Sequence, residues 1–111
     1  FGNAGIIPAT VLEYVENKII DSRVPEASAQ LRDQLVNFVQ SLRQLDLKKS
    51  PAISETIDWA RALVLLHADT LDKTIIEQTL NVILKFEDDV EMAKNELRNL
   101  LAASKSIMPK T

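Results

Sequence analysis

An all-α fold, a bundle of about five helices, is what this sequence predicts, and three observations predict it. Both glycines, Gly2 and Gly5, fall in the first five residues. No later segment therefore has the glycine turns that join strands into hairpins. Apolar residues recur three and four apart through the long segments, which is the spacing of a helix face. No segment reads as a strand.

The first helix is expected from Thr10, as N-cap, to Asp21, with Val11, Leu12, Val15, Ile19 and Ile20 as its apolar face. The stretch Arg23-Val24-Pro25-Glu26 ends it, because proline disfavours helix in the residue before it. The second helix is expected from Ala29 to Gln44 behind Ser28 as N-cap, with Leu31, Leu35, Phe38, Val39 and Leu42 in one stripe. A connector follows, from Asp46 to Ile53.

The third helix is expected to start near Ser54 and run to His67. Ile57, Trp59, Ala60, Ala62, Leu63, Val64, Leu65 and Leu66 nearly encircle it, which predicts a central position. The fourth has the clearest start: Asp72 as N-cap, with Leu71 and Ile76 placed as a hydrophobic staple. Ile76, Leu80, Ile83 and Leu84 make its buried face. The fifth is expected from Glu87 to Ser104, along a seam of Val90, Ala93, Leu97, Leu100 and Leu101. Residues 1–9 read as a linker or expression remnant, 10–105 as one helical domain, and 106–111 as a frayed tail.

With 111 residues and 46% hydrophobic side chains, the chain has material for one modest core. Its net charge of -3 gives no broad attraction to phosphate backbones or anionic lipid, so neither nucleic acid nor membrane is expected as a partner. There is no cysteine, which excludes disulfides and thiolate chemistry. No apolar run is long enough to span a bilayer, and a cytoplasmic location is expected.

Catalytic signatures are missing. The one histidine, His67, has no partner evident in the sequence, and a structural or surface role is expected for it. The acids Glu87, Asp88, Asp89 and Glu91 lack the alternation and the glycine of a calcium loop, and read as a helix start that suits the dipole. No metal site is expected. No GxxxxGK[ST] loop is present, so this chain by itself is expected to bind no ATP. Trp59 reads as a core anchor. Arg61 beside it either contacts nucleotide or a subunit, or lays its stem over the core with its head in water.

One series of residues resembles a known family. It runs from Arg23-Val24-Pro25-Glu26-Ala27-Ser28 through Phe38-Val39-Gln40-Ser41-Leu42-Arg43 to the string from Leu45 to Leu63, and on to Glu77–Lys85. Its most specific part is Ser54-Glu55-Thr56-Ile57-Asp58-Trp59-Ala60-Arg61-Ala62-Leu63. The series is similar to the C-terminal helical lid of MoxR-type AAA+ ATPases, in the branch that includes CoxD-like proteins, and covers Glu16 to Asp89. The resemblance implies a lid-like bundle that closes over nucleotide held by an upstream AAA+ core. It implies a parent ATPase using ATP and magnesium in a homo-oligomeric ring. Chaperone-like remodelling or cofactor-enzyme maturation, with a von Willebrand factor A domain partner, is implied as well.

The chain departs from that family at one position. Many AAA+ lids carry a sensor-2 arginine near the start of the third helix, where this sequence has Ser54-Glu55. A glutamate cannot stabilise a phosphate by charge as arginine does. Lys48, Lys49, Ser54, Glu55 and Arg61 are therefore the nucleotide-proximal candidates, with a solvated connector as the simpler role for the lysines. Two other readings remain: a free-standing helical protein–protein interaction module without ATPase linkage, and a bundle that dimerises through the Val90–Leu101 seam.

Overall fold

The structure is a computed structural model that describes residues 9–103. Six helices follow in order: α1 (Ala9–Arg23), α2 (Ala29–Leu42), α3 (Ile53–Leu65), α4 (Lys73–Ile83), α5 (Glu87–Asn95) and α6 (Leu97–Ala103). There is no strand among the described residues. The expected linker and frayed tail fall almost wholly outside them.

Helix α1 already contains Thr10, so Thr10 is not its N-cap. Its buried face is also turned from the expected one. Val11 and Val15 are exposed, while Ile20 and Glu16 are buried. Leu12, Glu16, Ile19 and Ile20 follow the i, i+4, i+7, i+8 spacing, and the carboxylate is accepted in that stripe because Arg43, just past the end of α2, meets it. Helices α1 and α2 pack together, and α3 touches α1, α2 and α4, the central position expected of it.

Two helix starts stand where the sequence put them. The Ser28 hydroxyl accepts the Leu31 N–H at 3.1 Å, and the Asp72 carboxylate accepts the Ile75 N–H at 3.0 Å. Each satisfies a backbone donor that a helix start leaves open. Leu71 and Ile76 are both buried, as a staple requires.

Helix α3 stops earlier than expected. The His67 N–H reaches the Val64 carbonyl at 2.9 Å, and the Ala68 N–H reaches back to the Leu63 carbonyl at 3.0 Å. These two bonds form a Schellman motif, and they require His67 to adopt a left-handed conformation, with φ 58°. Glycine usually occupies that position.

The expected fifth helix is two. The chain bends at Glu96, and α5 packs on α4 while α6 packs on α2. No glycine or proline marks the bend, and the seam Val90, Ala93, Leu97, Leu100 and Leu101 runs unbroken in sequence. All five seam residues are buried within the chain. That seam is thus spent on the chain's own core, which removes it as a dimer surface.

The core centres on Trp59, Phe38, Leu63 and Ile76, each at 0% exposure. The rings of Phe38 and Trp59 lie 5.6 Å apart at 50°. Trp59 donates its indole N–H to the Thr79 hydroxyl at 2.7 Å, and Thr79 donates onward to the Ile75 carbonyl at 2.7 Å. A buried indole N–H without an acceptor would cost about 1–3 kcal/mol, so Thr79 completes the anchor.

Candidate functional site

The connector between α2 and α3 carries most of the candidate residues, and its backbone is fixed at two places. At its far end, Arg43 donates Nε–H to the Pro51 carbonyl at 3.0 Å. The same guanidinium meets Glu16 through two bonds of 2.7 Å. In its middle, the Asp89 carboxylate accepts the Lys48 N–H at 2.8 Å and the Lys49 N–H at 3.1 Å. Asp89 is 1% exposed. Charge-assisted bonds to backbone N–H groups are among the stronger ones, so this segment is held as part of the bundle.

Around that fixed backbone, four of the five candidates come together. The Lys48 ammonium lies 2.7 Å from Asp88, and the Lys49 ammonium 3.8 Å from Glu55. Ser54 donates its hydroxyl to the Glu55 carboxylate. That hydrogen bond, the Ala52 N–H and the Lys49 charge hold the Glu55 carboxyl below the usual carboxylate range, although burial opposes them. The hydrogen bond and charge of Lys48 lower Asp88 in the same way, and Asp88 raises the Lys48 ammonium.

Arg61 is not part of this cluster. It lies six residues beyond Glu55 on α3, about 9 Å along the axis and turned well around it. Its neighbours across a shallow depression are Arg23, Val24, Glu26, Val64 and Leu65. The arginine is exposed.

The cluster's charge decides what it can bind. Two ammonium groups face three carboxylates, those of Glu55, Asp88 and Asp89. A phosphate brought to Lys48 and Lys49 would meet a net negative neighbourhood. These residues as arranged do not form a phosphate site.

Sequence reasoning missed Glu16, Arg43 and Asp89, the three groups that fix the connector. In the sequence, Asp89 reads only as part of an acidic helix start. The signal available was the apolar stripe of α1, in which Glu16 occupies a core position. For Asp89 there was none, because its partners lie 40 and 41 residues away. No group of three or more candidate metal ligands occurs among the described residues. No described helix is long and apolar enough to cross a membrane. Comparison with family models, with curated proteins and with solved structures gave no match.

Proposed function

We propose that this chain is the C-terminal lid subdomain of a cytoplasmic MoxR-type AAA+ ATPase of the CoxD-like branch. In this reading it closes over nucleotide bound by an upstream core and couples hydrolysis to remodelling of a client or maturation of a cofactor enzyme. ATP and magnesium belong to the parent, as does the homo-oligomeric ring and any von Willebrand factor A domain partner. The lid's part is mechanical.

The observation that carries the reading is the placement of its most specific segment. Residues 54–63, the string most similar to MoxR lids, form most of α3, which packs on three other helices. The connector before α3 is tied to α1 by Arg43 and Glu16, and to α5 by Asp89. A push at the connector would therefore move the bundle as one body, as a lid requires. The charge balance beside Lys48 and Lys49 supports closure by packing over direct capture of phosphate.

The second reading is a helical interaction module without ATPase linkage. Its support is exposed apolar surface: Val11, Tyr14 and Val15 on α1, and Leu65 and Leu66 at the end of α3.

The coding sequence upstream separates the two. The lid reading expects a P-loop and a Walker B acid there; their absence sinks it. In the parent, removing this segment should abolish coupled ATP hydrolysis, whereas the isolated chain should hydrolyse none. Lys48→Ala with Lys49→Ala then tests the connector. Alanine is preferred to charge reversal, which would crowd five carboxylates together. Unchanged ATPase rate, nucleotide affinity and ring assembly would exclude the lysines from the mechanism.

A further inference from the structure

We draw no further inference here: the strongest candidate, the groove between α1 and the start of α2 lined in part by Tyr14, Asn17, Lys18 and Arg32, carries nothing because its two polar atoms without a hydrogen-bond partner among the described residues, Asn17 Oδ1 and Arg32 Nε, are shut off from solvent and nothing in the structure shows what covers its open side.

Discussion

Glu16 and Arg43 meet through two parallel hydrogen bonds of 2.7 Å each, with side chains only 5% and 20% exposed. The paired geometry matches the guanidinium fork to the carboxylate. The pair joins α1 to the end of α2, and through the Pro51 carbonyl to the connector. Gln40 lies 3.5 Å from the same carboxylate.

Breaking this pair should be costly, because the surviving charge stays in a poorly hydrated place. Glu16→Ala is expected to cost about 3 kcal/mol, the low end for a buried pair, since Arg43 keeps some water. Glu16→Leu combined with Arg43→Leu should cost less than the two single changes summed. Urea unfolding of all four proteins measures this. Simple additivity would show that the two side chains are not coupled.

The second prediction concerns the core. Leu63→Ala is expected to cost about 2–5 kcal/mol, by lost burial and the cavity left behind. Thr79→Val keeps the shape but removes the acceptor of the Trp59 indole, for about 1–3 kcal/mol. Denaturant titration followed by tryptophan fluorescence reads both. A loss below about 1 kcal/mol for Leu63→Ala would contradict the central placement of α3.

Asp89 should govern the connector more than it governs α5. Asp89→Ala leaves the Lys48 and Lys49 N–H groups without their acceptor, and both amides should exchange with solvent faster. The α5 amides should change less. Hydrogen exchange by NMR distinguishes the two segments, and connector amides that keep their protection while α5 loses its own would make Asp89 a helix-start residue only.

His67 offers a stabilising change. A non-glycine residue in the left-handed region costs about 1–2 kcal/mol, partly offset by the greater unfolded-state freedom of glycine. His67→Gly is expected to gain about 0.5–1 kcal/mol, seen as a higher unfolding midpoint. A loss of stability would mean that the imidazole makes a compensating contact.

Acid should weaken the fold through the connector cluster. Glu55 and Asp88 are both held below the usual carboxylate range. A carboxyl depressed in the folded state stabilises at pH above its unfolded value, and that contribution is lost as pH falls through the folded value. Stability should therefore be level near neutrality and decline below about pH 4. Ser54→Ala removes the main cause at Glu55 and should move its titration back up towards the ordinary range. Carboxyl-carbon NMR shifts follow this directly, and an unmoved midpoint would exclude the Ser54 hydroxyl as the cause.

The sequence by itself determined the helical class, the capped starts at Ser28 and Asp72, the stripes of α2 and α4, and Trp59 as core anchor. Those features depend on residues within a turn or two of one another, and local spacing reports them. Four candidate site residues also fell together because they are near neighbours in the chain. Tertiary structure decided what local spacing could not. It turned α1 so that Glu16 faces inward, because Arg43 waits there at the end of another helix. It bent the last helix at Glu96, because the two halves have different neighbours to pack against. It placed Asp89 beneath the Lys48 and Lys49 amides, and it put Arg61 on a separate surface from the lysines. Each of these depends on an ion pair, a hydrogen bond or a packing face contributed from far along the chain, and such partners leave no mark in the residues beside them.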